Sequence, residues 1–147
     1  MRAISLLLVI LLVGGVSSDT VFHANGTLTC KYHHPIWCFS VSMWEKDVSF
    51  LFNTDDLIAR AEVACHKLDK VGYHLEGSQD GDGPFDAFYE AQVVIVHNCT
   101  FSGLKRISRT TKYINVDDTE SLLTWDLDVT QTGDHTKKYD VSKNTLH

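Results

Sequence analysis

Apolar and polar residues alternate along two stretches of this chain, and this alternation restricts the fold more than any other feature. In residues 39–44 the apolar side chains Phe39, Val41 and Met43 occupy every second position, and residues 59–65 repeat the pattern. Side chains of a β-strand point alternately to two faces, so a period of two is typical of a strand. No apolar pattern at helical spacing persists for three turns, and the sequence therefore predicts an all-β fold.

Further short strands, with turn signals between them, are predicted along the rest of the chain. We place them at residues 22–30, 72–76, 92–97, about 104–108, and 122–129. With the two alternating stretches they make about seven strands, which favours a Greek-key sandwich over a closed barrel. Apolar periodicity is lost from Thr130 to His147, so we expect a polar C-terminal tail over 130–147.

The N-terminal residues predict a secretory signal peptide over 1–18. Arg2 supplies a positive charge, residues 4–13 form an apolar run, and small residues extend to Ser18. The run is about half the roughly 20 residues that a membrane-spanning helix needs. We therefore expect cleavage after Ser17 or Ser18, a secreted chain that does not span a membrane, and one domain over 19–129. The formal net charge of −6 disfavours nucleic acid as a partner, because phosphates repel it.

The predicted mature chain contains four cysteines, Cys30, Cys38, Cys65 and Cys99. An even number in a small secreted domain favours two disulfides, with three possible connectivities. The two alternating stretches flank the polar-rich segment 47–56 and predict a hairpin in which Cys38 opens the first strand and Cys65 closes the second. Directly opposed residues on antiparallel strands lie near the separation that a disulfide needs. We predict a Cys38–Cys65 bond, which leaves Cys30 with Cys99.

Several short motifs occur in a fixed order: Gly26-Thr27-Leu28-Thr29-Cys30, Pro35, Val41-Ser42-Met43-Trp44, Asp55-Asp56-Leu57-Ile58, Gly77 and Ile95-Val96-His97-Asn98-Cys99. In this order and spacing, over about residues 21–129, the chain resembles the transthyretin-like family of secreted proteins that is abundant in nematodes. The resemblance implies a transthyretin-type (prealbumin-like) sandwich of two antiparallel sheets, secretion, and for some members an adaptor or carrier role at cell surfaces. It supports the Cys30–Cys99 pair. Cys38 and Cys65 depart from the family pattern together, which supports a bond between them.

No catalytic chemistry is predicted. The hydroxyisourate hydrolases, which share the transthyretin fold, end in a Tyr-Arg-Gly-Ser motif, whereas this chain ends Lys143-Asn144-Thr145-Leu146-His147, and it has no Gly-x-Ser-x-Gly nucleophile motif. Such an enzyme stays a distant alternative. No cofactor or metal is predicted either, because His33 and His34 lack the spacing of zinc ligands and the loop from Ser78 has Tyr89 where a calcium loop needs a carboxylate. Calcium binding by residues 80–86 is left open.

Three polar residues receive structural or modification roles. His97 ends an apolar strand beside a cysteine and is predicted to be a buried, hydrogen-bonded side chain. Asn25 and Asn98 each begin an Asn-x-Thr acceptor sequence, which predicts a glycoprotein. Asn25 is the better acceptor of the two, because a disulfide at Cys99 crowds Asn98.

A group of large apolar side chains adjoins an otherwise acidic loop: Trp44, Phe50 and Phe52 lie near Asp55 and Asp56. A monomeric domain normally exposes polar residues there, so we predict that these five residues form a binding surface. The expected function is that of a secreted extracellular binding or adaptor protein whose partner is an extracellular protein, a lipid or a hydrophobic small molecule. The alternative is a carrier that holds a small hydrophobic ligand or lipid between sheets or protomers. Phe50 and Phe52 would cap the sandwich if they fold inward.

Overall fold

The computed structural model describes residues 19–32, 36–46, 55–80, 88–110 and 114–137, and all regular structure in these ranges is β-strand. The predicted signal segment, residues 47–54 of the 47–56 loop, residues 81–86 of the 80–86 loop and the end of the C-terminal tail lie outside the described residues. Within the ranges that are described, no helix is long and apolar enough to cross a membrane. The strands are β1 (Thr20–Thr29), β2 (Trp37–Glu45), β3 (Asp56–Arg60), β4 (Ala64–His66), β5 (Lys70–Gln79), β6 (Phe88–Tyr89), β7 (Ala91–His97), β8 (Lys105–Thr110), β9 (Ile114–Asn115), β10 (Glu120–Thr124), β11 (Leu127–Asp128) and β12 (Asp134–His135).

The first sheet, which we call sheet I, is built around β1. Strand β5 pairs antiparallel with β1 along its whole length, from Thr20 opposite Gln79 to Thr29 opposite Lys70. Strands β10 and β11 both pair with β1 in parallel. Sheet I is therefore antiparallel along its longest ladder, as expected, and departs from that expectation only where β10 and β11 pair with β1. The strand predicted over 122–129 is also interrupted at Trp125 and Asp126, where the Asp126 carboxylate accepts a hydrogen bond from the Thr27 amide at 2.7 Å.

The second sheet, sheet II, has the order β12-β8-β7-β2-β3, with β4 also paired to β2, and all its pairs are antiparallel. The predicted hairpin is present, with Cys38 directly opposite Cys65. Its returning strand is divided into β3 and β4 at residues 61–63, where the Ala61 amide donates to the Val41 carbonyl at 2.9 Å. A separate shift of one residue lies within β3, opposite Met43 and Trp44. Strands β6 and β9 pair only with each other and were not predicted, since two-residue strands have no periodicity to detect.

One hydrophobic core is shared by the two sheets, which confirms the predicted two-layer packing. Sheet I contributes the inward residues of β1 and β5, and sheet II those of β2, β7 and β8. The main members are Phe22, Ala24, Leu28, Leu75, Trp37, Phe39, Val41, Met43, Val93, Ile95 and Ile107. Each lies on the inner face that the period-two alternation assigns to it.

Part of the segment predicted as a polar tail is paired to the domain. Strand β12 joins the edge of β8, with Asp134 opposite Arg106. The Gln131 amide donates to the Cys99 carbonyl at 2.9 Å, and the Thr136 amide donates to the Leu104 carbonyl at 3.1 Å. Residues 130–137 therefore pack beside the end of β7, although the sequence there has no apolar periodicity.

Gly77 of β5 in sheet I lies directly against the backbone of β3 in sheet II. A Cβ atom at Gly77 would lie 2.2 Å from the Ile58 carbonyl oxygen, so no side chain fits without moving backbone. We expect Gly77→Ala to lower the free energy of unfolding by about 3 kcal/mol, the upper end for overpacking. Gly72→Ala on the same strand is the matched control, because the atom nearest to a Cβ there, the Gly26 carbonyl oxygen, lies 3.8 Å away, and we expect a change of about 0.5 kcal/mol. Urea unfolding of both variants measures the two changes in stability. Equal losses of stability would contradict the close contact between Gly77 and the Ile58 carbonyl.

Candidate functional site

The structure places Trp44 inside the protein rather than on the predicted binding surface. Its side chain is 6% exposed and packs against Val94, Val96 and the partly buried Leu104 on the outer face of sheet II. The Trp44 Nε1–H donates to the Ser42 hydroxyl at 2.8 Å. The prediction that Trp44 faces solvent is therefore wrong. Phe50 and Phe52 lie outside the described residues, so their assignment to a binding surface stays a prediction.

The acidic residues predicted for the same surface lie at the base of the loop. The Asp55 carboxylate is half-buried and forms an ion pair with the Lys46 ammonium group, which joins the two ends of the 47–54 segment. Asp56 is exposed and stands opposite Glu45 in the β2–β3 ladder. Asp55 therefore has a structural contact that fixes the loop ends.

A second surface lies at the end of the sandwich that carries the Cys30–Cys99 disulfide. Cys30 follows β1, Cys99 follows β7, and their Cα atoms are 5.9 Å apart. The Cys30 amide donates to the Asp69 carbonyl at 2.7 Å, and the Trp37 Nε1–H donates to the Leu68 carbonyl at 2.8 Å. These contacts fix the 67–69 turn beside the disulfide.

Large apolar side chains project from this end. Phe101 is 75% exposed and Leu68 is 65% exposed. The Phe101 ring packs edge-on against the Tyr32 ring, with centroids 4.2 Å apart, and its amide donates to Gln131 Oε1 at 3.1 Å. We call Tyr32, Leu68 and Phe101 the disulfide-end patch. Sequence reasoning missed it, because single apolar residues in turns carry no periodic signal.

A charged pair borders the disulfide-end patch. The Lys31 ammonium nitrogen lies 2.6 Å from Asp128 Oδ2, and the Thr130 amide donates to Asp128 Oδ1 at 3.0 Å. Hydrogen bonds from Lys31 and Thr130 lower the pKa of Asp128 to about 2. The pair stays ionised at any physiological pH and gives the apolar patch a polar edge.

His97 lies beneath this end, fully buried, and confirms the predicted structural role. Its Nδ1 accepts a hydrogen bond from the Cys99 amide at 3.2 Å, so the ring proton is on Nε2, which donates to the Thr132 carbonyl at 3.1 Å. Burial lowers the pKa of His97 to about 4; the nearby Lys105 charge also lowers it, while the Thr132 hydrogen bond acts in the opposite direction. The neutral ring therefore joins the disulfide loop to residues 130–137.

All four cysteines are paired, as predicted, in the bonds Cys30–Cys99 and Cys38–Cys65. Two disulfides are consistent with an extracellular protein. Of the two acceptor asparagines, Asn25 is exposed, whereas Asn98 is half-buried and its Oδ1 accepts the Cys38 amide at 2.7 Å. Glycosylation of either residue stays a prediction.

The outer face of sheet I brings together polar side chains that the sequence keeps far apart. His23, His74 and Glu76 place three potential metal-ligand atoms within 4.8 Å of one another. Glu120 Oε1 lies 3.3 Å from His23 Nε2, and Asn25 Oδ1 lies 2.7 Å from His74 Nδ1. The sequence analysis did not find this group, because only the β1–β5 register makes the residues neighbours.

Comparison with known proteins gives one family and one curated relative. Uncharacterized protein B0416.7 of Caenorhabditis elegans is 31% identical to this chain over 90 residues, which cover 61% of this chain and 64% of the relative. The match thus spans less than two thirds of that relative's length. The family match covers residues 25–141, from the middle of β1 to beyond β12. The resemblance to the transthyretin-like family stays a prediction. By the extent of the family match, the chain belongs to the family described as Caenorhabditis elegans protein of unknown function (DUF870).

Proposed function

We propose that this chain is a secreted extracellular binding protein that recognises a protein partner through the disulfide-end patch, Tyr32, Leu68 and Phe101. The observation that carries the proposal is the 75% exposure of Phe101 on a loop held by a disulfide. Aromatic side chains are enriched at the centres of protein interfaces, and an exposed one beside another apolar group marks a candidate contact site.

The contacts at the disulfide end of the sandwich support binding of a partner with little rearrangement of the backbone. The Cys30–Cys99 bond, the Trp37 hydrogen bond to the 67–69 turn and the buried His97 fix the backbone that carries Leu68 and Phe101. Fixing a loop before binding reduces the conformational entropy that association removes. The Lys31–Asp128 pair at the border corresponds to the polar rim that surrounds an interface core.

Secretion and a transthyretin-type arrangement of the two sheets are part of the same proposal. The predicted signal peptide and the two disulfides support secretion, and the order of the motifs between Gly26 and Cys99 supports a transthyretin-type arrangement of the two sheets. A carrier of a small hydrophobic ligand or lipid is the alternative function. The two functions can be distinguished by the molecule that contacts Phe101. This molecule is a protein for the proposed function and a lipid or small hydrophobic molecule for the carrier.

Photo-crosslinking tests the proposal. Benzoylphenylalanine is placed at position 101 or, as a control, at position 122, because Leu122 on sheet I is also 75% exposed. The purified chains are irradiated on intact cell surfaces and in extracellular fluid from the source organism. We expect a discrete protein adduct from position 101 and none from position 122. Lipid or small-molecule adducts at 101 would favour the carrier, and equal adducts at both positions would contradict a specific patch.

A further inference from the structure

We propose that His23, His74 and Glu76 form a binding site for a transition-metal ion of the zinc type on the outer face of sheet I. The site is separate from the disulfide-end patch and does not depend on the function proposed for it. The strand register, the spacing of the three ligand atoms, and the groups that contact the other nitrogen of each imidazole all point to this site.

The register of β1 and β5 creates the site. Phe22 and Ala24 point into the core, so His23 between them points outward, and Leu75 assigns His74 and Glu76 to the same outer face. His23 stands directly opposite Glu76, and Asn25 stands directly opposite His74. Directly opposed and diagonal residues on one face of an antiparallel pair are close enough for their side chains to interact.

The spacing of the ligand atoms fits one small cation. Glu76 Oε2 lies 3.5 Å from His23 Nδ1 and 3.8 Å from His74 Nε2. Tetrahedral zinc with bonds of about 2.0–2.1 Å places neighbouring ligand atoms about 3.4 Å apart. The two carboxylate–imidazole distances therefore lie close to the spacing in a tetrahedral site, and the ligand atoms of the two histidines lie within 4.8 Å of one another.

Each imidazole has an oxygen partner on its other nitrogen. His74 Nδ1 lies 2.7 Å from Asn25 Oδ1, which can only accept, so Nδ1 carries the proton and Nε2 presents a lone pair towards Glu76. His23 Nε2 lies 3.3 Å from Glu120 Oε1 in the same way, which leaves Nδ1 for the ion. Metal-binding histidines commonly donate their second N–H to a carboxylate or carbonyl oxygen, which fixes the ring and its tautomer. A glycan on Asn25 would attach to Nδ2 and leave Oδ1 in place.

The ligand set selects the kind of metal. Two imidazole nitrogens and one carboxylate suit zinc and its neighbours, whereas calcium and magnesium prefer oxygen ligands. His74 and Glu76 are both exposed, so a fourth position is open to water or to a ligand from another molecule. An ion held there would crosslink β1 to β5 and stabilise sheet I.

Zinc titration of the untagged chain beginning at residue 19, after treatment with a chelator, tests the site. We expect calorimetry at pH 7.5 to show one zinc ion per chain, and a zinc concentration of 100 times Kd to shift the unfolding equilibrium about 100-fold. Glu120→Gln should weaken binding about 10-fold to 100-fold as a positioning change. Cobalt should give the intense visible absorption of a tetrahedral site.

The variants separate this site from the other histidines of the chain. His74→Gln and Glu76→Gln replace exposed side chains, and each should abolish the zinc heat, the zinc-dependent rise in melting temperature and the cobalt spectrum while the metal-free protein stays folded. His135→Gln is the matched control, because it removes an exposed histidine from β12, in the other sheet. Binding that survives in both His74→Gln and Glu76→Gln, or that is lost in His135→Gln, would overturn the assignment.

Discussion

Replacing Cys30 and Cys99 together by alanine is expected to lower the free energy of unfolding by about 4 kcal/mol. The two residues are 69 positions apart, and a crosslink of that length removes much of the conformational freedom of the unfolded chain. Both are also fully buried, so the truncated side chains leave unfilled space in the core. The bond joins the end of β1 in sheet I to the end of β7 in sheet II, and no strand pairing in the described part of the chain connects those two ends.

Cys38→Ala with Cys65→Ala is the control for the first prediction. This pair closes only 27 positions, Cys65 is exposed, and β2 and β4 remain hydrogen-bonded without the sulfurs. We expect a smaller loss, about 3.5 kcal/mol at most. Guanidinium unfolding of both double variants gives the comparison. A larger loss for the Cys38–Cys65 variant would show that the hairpin crosslink, rather than the bond between the sheets, carries the stability.

Acidification from pH 7 to pH 4.5 is expected to lower the free energy of unfolding by about 2–3 kcal/mol through His97. Burial lowers the pKa of this residue to about 4 in the folded protein, while the unfolded value is 6.5. Between pH 6.5 and about pH 4 the histidine is therefore protonated in the unfolded state and neutral in the folded state. The free energy of unfolding decreases as the pH is lowered through that window. Each pH unit within this window changes the free energy of unfolding by at most about 1.4 kcal/mol.

Urea unfolding of the wild-type chain and of His97→Gln at several pH values checks the second prediction. The glutamine variant should be less stable at pH 7, since it loses one of the two ring contacts, and should show a flatter profile between pH 7 and 4.5. His135→Gln should keep the wild-type profile. The pKa of Asp128 is lowered to about 2, so its contribution is lost mainly below pH 4 and does not interfere. A profile that is unchanged in His97→Gln would contradict the assignment to His97.

Period-two alternation was enough to predict the elements that depend on local pattern. It located β2 and its returning strand, and the hairpin geometry placed Cys38 opposite Cys65, because the register of a hairpin follows from the positions of its strands. It could not predict the break between β3 and β4 at residues 61–63, or the register shift within β3 opposite Met43, since neither interrupts the alternation of residues 59–65. Nor could it predict that β10 pairs in parallel with β1, since no local signal links residues so far apart.

The position of Trp44 shows where the same reasoning failed. The binding-surface prediction rested on the nearness of Trp44 to an acidic loop, and it required a side chain on the face opposite Phe39, Val41 and Met43 to be exposed. The continuous apolar run Val93-Val94-Ile95-Val96 indicates that the outer face of the sheet is also covered there, because such a run is typical of a strand buried on both faces. Val94 and Val96 are the residues that Trp44 packs against. The disulfide-end patch and the histidine group had no such signal, since each is assembled from separate strands or turns.

Saturation binding to intact cell surfaces tests the proposed function most directly. A fluorescent wild-type chain is compared with the double variant Leu68→Ser and Phe101→Ser, and with Leu122→Ser as the control of equal exposure to Phe101. Melting temperatures of all three proteins should agree within a few degrees, because the replaced side chains are exposed. We predict saturable binding for the wild type and for Leu122→Ser, and at least a tenfold weaker apparent Kd for the double variant. Equal binding by all three proteins would contradict recognition through the disulfide-end patch.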